Sequence, residues 1–242
     1  FSDLLRARSF KVKGILNGID VDLYNPETDK EIYFNYSYKN LDEKSKNKIK
    51  LQKRLKLKST KSIPLIAMVT RLAEHKGIDL VKEVLENFIA VEDVQFVILG
   101  CGDKKYEEFF EYIQNKYPEK MRFCKGFVPE LSRKIYASAD IFLMPSKTEP
   151  CGLAQMIALR YGAVPIVRET GGLFDTVKDS GDGKGNGFTF KSYNSYDMLE
   201  SLNRAINGYK NKAGWDLLKR RAMLCNNSWE TSAVQYLQIY KK

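Results

Sequence analysis

Two cations and one carboxylate stand out by residue type and by position. Arg71 and Lys76 fall in the loop Thr70-Arg71-Leu72-Ala73-Glu74-His75-Lys76-Gly77, between an apolar run and a helical pattern. A helix start carries free N–H groups and a positive end, so cations beside it suit a phosphate or a diphosphate. The plainer alternative is a loop with two surface cations. Glu149 lies in Met144-Pro145-Ser146-Lys147-Thr148-Glu149-Pro150-Cys151-Gly152-Leu153, again before a helical pattern. A carboxylate beside the free amides of Cys151, Gly152 and Leu153 can read sugar hydroxyls, or it can simply cap the helix. Pro150 suits the first helical turn. Thr170, Gly171, Gly172 and Leu173 form a second candidate cradle for an anion or a sugar. Phe127, after Gly126, can stack on a base at a strand end or fill the core. Gly100-Cys101-Gly102 permits a close backbone approach, either to a ligand or within a strand-to-helix turn. His75 is the only histidine, and it is assigned no role.

The elements that must position these residues alternate along the chain. Apolar runs at 64–69, 94–99, 122–123, 140–144, 163–167 and 188–190 read as strands. Amphipathic stretches at 77–89, 103–116, 130–138 and 153–161 read as helices, with three more at about 195–209, 214–224 and 228–240. This alternation predicts an α/β fold, a doubly wound parallel sheet with C-terminal helices. In such sheets ligands gather outside the carboxyl ends of the strands. The candidate residues lie just there, after five of the strands, so the fold would bring them together.

Composition bounds the rest. A chain of 242 residues with 43% hydrophobic residues is long enough for one large domain. The net charge is +10, but it is local: residues 44–61 hold nine basic residues and no acidic one, leaving 31 against 30 elsewhere. The block reads as a helix with Leu51 and Leu55 on one face and its basic side in water; a nucleic-acid arm is the sharper alternative. Residues 24–43 read as a loop. No apolar run reaches the roughly 18 residues of a membrane helix. Residues 1–13 lack an apolar signal core, and a cytoplasmic setting is expected. The chain starts without Met, which suggests an excised domain. Four cysteines without CxxC spacing predict neither zinc nor a disulfide framework. No cofactor or metal is expected, and no GxGxxG opens a helix as in NAD-binding domains.

These motifs carry a family resemblance. Lys13-Gly14-Ile15-Leu16-Asn17-Gly18-Ile19-Asp20 with Pro26 resembles the lead-in to the second domain of bacterial glycogen synthases and plant starch synthases. Val69-Thr70-Arg71-Leu72 with Lys76-Gly77 resembles their diphosphate loop. Glu149-Pro150-Cys151-Gly152-Leu153 with Gln155 is the most specific match, followed by Thr170-Gly171-Gly172-Leu173 with Asp175-Thr176-Val177. Asn47-Lys48 and Leu51-Gln52 also match, as do Ser228-Trp229, Ser232-Ala233 and Tyr236 through Tyr240. The resemblance implies the GT-B fold, two Rossmann-like domains facing a cleft, with this chain as the C-terminal, nucleotide-sugar-binding domain. The expected division is a hinge segment at 1–20, the binding domain at 21–225, and a helix at 226–242 that packs toward a missing N-terminal domain.

The implied reaction is retaining transfer of glucose from ADP-glucose to an α-1,4-glucan. By the resemblance, Arg71 and Lys76 stabilise the diphosphate leaving group and Glu149 holds the donor glucose, helped by Cys151, Gly152 and Leu153. Thr170 to Leu173 contact phosphate or glucose, Phe127 meets the adenine, and Asn17 touches the donor from the hinge. If the source is a plant, the setting is the plastid. Ile157 stands where related retaining transferases carry a second Glu, a loss shared with glycogen synthases. Tyr24 replaces a usual Trp, and Thr70 stands where Ser is common. A UDP-sugar transferase of the same fold, a silent glycan-binding module and a nucleic-acid-binding protein are the alternatives; no membrane or nucleic-acid partner is expected.

Overall fold

The strands and helices follow in the predicted order. The computed structural model describes residues 2–241. Phe1 and Lys242, the outer limits of the first and last expected segments, lie outside the described residues. A short helix α1 (Ser2–Ala7) comes first, then a long irregular stretch, then α2 (Asp42–Arg54). The alternation follows: β1 (Leu65–Val69), α3 (Ile78–Val91), β2 (Gln95–Gly100), α4 (Lys104–Lys116), β3 (Met121–Lys125) and α5 (Pro129–Ser138). It continues through β4 (Ile141–Met144), α6 (Ala154–Arg160), β5 (Val164–Arg168), α7 (Gly171–Thr176) and β6 (Phe188–Phe190). Three helices close the chain: α8 (Ser195–Lys210), α9 (Lys212–Met223) and α10 (Trp229–Tyr240).

The six strands form one parallel sheet in the order β3-β2-β1-β4-β5-β6. Its strands are continuous apolar runs because both faces are covered. Successive side chains point to opposite faces. Ile66, Met68, Phe96, Ile98, Ile141 and Leu143 pack with α3, α4 and α8. Leu65, Ala67, Val97, Leu99, Phe142 and Met144 pack with α2, α5 and α6. Each of these side chains larger than Ala67, removed from water, stabilises the fold by roughly 1.5–3 kcal/mol.

The basic helix departs from expectation. Lys44, Asn47, Lys48, Leu51 and Gln52 are its buried residues, so two of the nine cations face inward rather than into water. Each polar member of this stripe serves backbone that lacks a ladder partner. Asn47 Oδ1 accepts from the amides of Tyr33 and Phe34 at 3.0 and 3.1 Å. Lys44 Nζ donates to the carbonyls of Tyr136 and Ala137 in the last turn of α5, where a helix presents its negative end. Burial pushes the Lys44 amine well below the usual lysine range. Lys48 Nζ lies 2.7 Å from Asp140 Oδ2 and donates to the Ile63 carbonyl at 2.5 Å.

A second ion pair anchors the stretch between α7 and β6. Asp179 accepts from both terminal nitrogens of Arg204 at 2.9 Å and from the Thr189 amide at 2.8 Å. Burial pushes this carboxyl up, but the guanidinium and the amides of Thr189 and Gly181 outweigh it and hold the group below the usual carboxylate range. A depressed folded-state pKa stabilises above the unfolded value, and that stability is lost as pH falls through the folded one. The stability gap between wild type and Arg204→Ala, read by chemical denaturation, should therefore shrink between neutral pH and about pH 2. A gap that stays constant would contradict this.

Candidate active site

The chain order reverses between β1 and β4, the point where open α/β sheets hold ligands. β1 and β4 share two register pairs, Ile66↔Ile141 and Ala67↔Phe142, against five between β1 and β2. Their carboxyl ends therefore part, and a cleft of about 230 Å³ opens there. Thr70, Arg71, Lys76, Glu149, Gly152 and Leu153 line it. A larger cavity of about 700 Å³ lies near the amino ends of the same strands, around Pro64, Asp140 and Trp215, and none of the predicted site residues borders it.

Lys76 ends a 3₁₀ turn, Glu74–Lys76, stopped by Gly77 at φ +76°. A Cβ at position 77 would sit 2.1 Å from the Pro145 carbonyl oxygen, so only glycine lets the two loops touch. The Lys147 amide donates to the His75 carbonyl at 2.9 Å across the same junction. The result is an ion pair between Lys76 Nζ and Glu149 Oε2 at 2.7 Å, with the side chains only 17% and 10% exposed. The Ser146 hydroxyl lies 3.3 Å from the same carboxylate oxygen. Arg71 is exposed at the rim and has no acidic partner within 4.0 Å among the described residues.

The loop carrying Glu149 is stitched to α7. The Gly172 amide donates to the carbonyls of Glu149 and Pro150 at 3.1 and 3.2 Å. Gly171 has φ +46°, and a Cβ there would fall 2.1 Å from the Glu149 carbonyl oxygen. Replacing Gly171 by Ala should displace the Glu149 backbone and cost about 1–3 kcal/mol, read by thermal unfolding. An unchanged melting temperature would contradict that reading.

The structure revises several sequence-based details. Pro150 lies outside α6, four residues before it starts. The two glycines serve close packing of the Glu149 loop, and the amides of Thr170, Gly172 and Leu173 are paired within the protein. Leu173 is fully buried, so its side chain belongs to the core. Gly100 and Gly102 likewise make room for the backbone of Thr70 and Leu72. The amides of Cys151, Gly152 and Leu153 meet no acceptor among the described residues. Phe127 is 84% exposed, which excludes the core alternative. It follows β3 at the sheet edge and does not line the cleft. Asn17 is exposed on a segment pinned to α10 and its lead-in, where the Ser232 hydroxyl donates to Leu16 O at 2.7 Å and the Ile19 amide to Asn227 O at 2.8 Å. Ile157 is buried in the core, leaving no second carboxylate there. Sequence reasoning missed Arg168, whose Nε donates to the Ser146 carbonyl at 3.0 Å. Its one signal was its place at the end of β5.

The comparisons with known proteins agree with this geometry. The family model for glycosyl transferases group 1 matches residues 48–221. The chain belongs to the group 1 glycosyl transferases. It is 53% identical over 242 residues to a glycogen synthase of Thermosipho africanus, covering 99% of this chain and 50% of that protein. It is 51% identical over 240 residues to a glycogen synthase of Bacillus cereus, covering 98% and 50%. The chain thus spans about half the length of the curated relatives it matches. The catalytic domain of starch synthase IV from Arabidopsis thaliana, solved with ADP and acarbose, matches with TM-score 0.92 at 38% identity, covering 99% of this chain and 50% of that one. The α/β sheet thus has the fold of one half of that GT-B glycosyltransferase. The sucrose-phosphate synthase of Thermosynechococcus elongatus shares the fold, with TM-score 0.67 at 19% identity over 99% of this chain and 55% of that one. Among the described residues no helix is long and apolar enough to cross a membrane.

Proposed function

We propose that this chain is the donor-binding half of a glucosyltransferase that extends an α-1,4-glucan from ADP-glucose with retention of configuration. The observation that carries the reading is the cleft at the β1–β4 crossover, where Arg71 has no acidic partner among the described residues and Lys76 is paired with Glu149. Identity of about half to glycogen synthases over nearly the whole chain supports the activity. The ADP bound to the starch synthase supports the donor base.

The residues divide the work. Arg71 and Lys76 neutralise the diphosphate as the glycosidic bond breaks, an electrostatic effect strong in a partly dry cleft. Glu149, released from Lys76 by the phosphates, accepts from glucose hydroxyls. The free amides of Cys151, Gly152 and Leu153 donate to oxygens of the same sugar. Thr170 and Gly171 hold the loop edge beside the phosphate or sugar, and Gly172 and Leu173 fix that edge by packing. Phe127 offers its exposed ring to the adenine, and Asn17 meets the donor from the hinge. Residues 1–20 serve as the hinge and 226–242 as the crossing helix. In α10, Val234, Tyr236, Leu237 and Tyr240 are exposed, and the part of the relatives' length that this chain does not span would cover them.

Two assays test this. Calorimetric titration with ADP-glucose and UDP-glucose should show tighter binding of the adenine nucleotide; the reverse would replace the donor. Glucosyl transfer should require this chain joined to the relatives' other half, which supplies the glucan-acceptor surface. Robust glucan extension by the 242 residues alone would refute that division.

A further inference from the structure

One aromatic ring joins the elements that stand behind the cleft. Tyr193 lies between β6 and α8, and its hydroxyl donates to Asp79 Oδ1 at 2.6 Å. Asp79 sits in the first turn of α3, three residues beyond Lys76. Two cations lie over the same ring: Lys147 Nζ at 5.3 Å and the Arg168 guanidinium at 5.6 Å from its centroid. Arg168 also forks onto the carbonyls of Ser146 and Lys147. Lys147 returns to the first loop through its amide on His75 and its ammonium 3.6 Å from Glu74.

The connections close a ring around the ion pair. One side grips Glu74 and Asp79, which bracket Lys76 in sequence. The other grips Ser146 and Lys147, which precede Glu149. Neither Arg168 nor Tyr193 lines the cleft. Cation–π contacts at partly exposed sites are individually modest, and bidentate guanidinium contacts add directionality. Together they restrict two loops that the Gly77–Pro145 contact and the Lys147–His75 hydrogen bond bring near one another.

We propose that Arg168 and Tyr193 are positioning residues that hold the Lys76 loop against the Glu149 loop, and so fix the donor's diphosphate relative to its sugar. The link to the donor rests on the function proposed above; the link to the ion pair does not. Two readouts keep them apart. The first is labelling of Lys76 by acetic anhydride in the 242-residue chain, followed by mass spectrometry. The second is ADP affinity by calorimetry. Tyr193→Leu should raise the Lys76 labelling rate by about threefold or more, because the loosened loop opens the partly buried amine to reagent. It should weaken ADP binding about tenfold, while Tyr193→Phe, which keeps the ring, falls between it and wild type. Arg168→Lys, which keeps the charge but not the fork, should move both readouts in the same direction. It also carries the test if Tyr193→Leu does not fold. Unchanged Lys76 labelling in Tyr193→Leu and Arg168→Lys would overturn the proposal. Absence of ADP binding in the wild-type chain would overturn the donor reading, and the labelling would then decide the clamp by itself.

Discussion

Glu149→Ala is expected to abolish most glucosyl transfer while leaving ADP binding intact or tighter. The two effects separate because Glu149 has two partners at different stages. Before donor binds, its carboxylate neutralises Lys76 at 2.7 Å. Once the diphosphate arrives, Lys76 turns to the phosphates and Glu149 turns to the sugar. Removing the carboxylate deletes a competitor for Lys76, so the nucleotide loses nothing. The glucose, however, loses the group that orients it, and a preorganised polar contact of this kind is worth about 100- to 1,000-fold in turnover. Steady-state transfer, measured with the acceptor half present, should fall by that factor while the Kd for ADP does not rise. Lys76→Ala should behave differently and lose both affinity and turnover. Equal loss of ADP affinity in Glu149→Ala would mean that the carboxylate serves the fold rather than the sugar.

The largest expected effect on stability lies at the other end of the sheet. Lys48 and Asp140 form an ion pair whose side chains are 2% and 11% exposed. Lys48 Nζ also donates to the carbonyls of Ile63 and Lys61 and to the Tyr209 hydroxyl. Asp140 accepts the amide of Leu65, where β1 begins, at 2.9 Å. The pair therefore ties α2, the start of β1 and the start of β4 into one buried node. Removing one partner strands the other charge away from water, which costs about 3–5 kcal/mol. Lys48→Ala should lose that much in chemical denaturation. Lys48→Met with Asp140→Asn should recover part of it, since neither charge is then left alone. A loss under about 1 kcal/mol in Lys48→Ala would show that water reaches the site.

What the sequence made legible follows from where hydrophobic burial is two-sided. The strands at 64–69, 94–99 and 140–144 were readable because both faces are covered, so the whole run is apolar. The positions of Arg71, Lys76 and Glu149 followed from the same alternation, since loops after parallel strands converge. The α2 stripe was not readable as buried: Lys44, Asn47, Lys48, Leu51 and Gln52 have helical spacing but one apolar member. Their burial is compensated by carbonyls, amides and a carboxylate from other parts of the chain, which no local pattern reports. The glycine pair 171–172 reads in the sequence as a cradle for an anion or a sugar, whereas in the structure it makes room for the backbone of Glu149 and Cys151. Tyr193 and Arg168 were invisible for a similar reason, because their meaning comes from groups brought together only by the crossover.

The central claim is that the β1–β4 cleft holds a nucleoside diphosphate through Arg71 and Lys76. One calorimetric titration of ADP into the chain and into its Arg71→Ala, Lys76→Ala double variant tests it. Wild type should bind one ADP saturably, and the double variant should bind more than about 100-fold more weakly, since each charged contact is worth roughly 1.5–3 kcal/mol. Undiminished ADP affinity in a folded double variant would contradict the account.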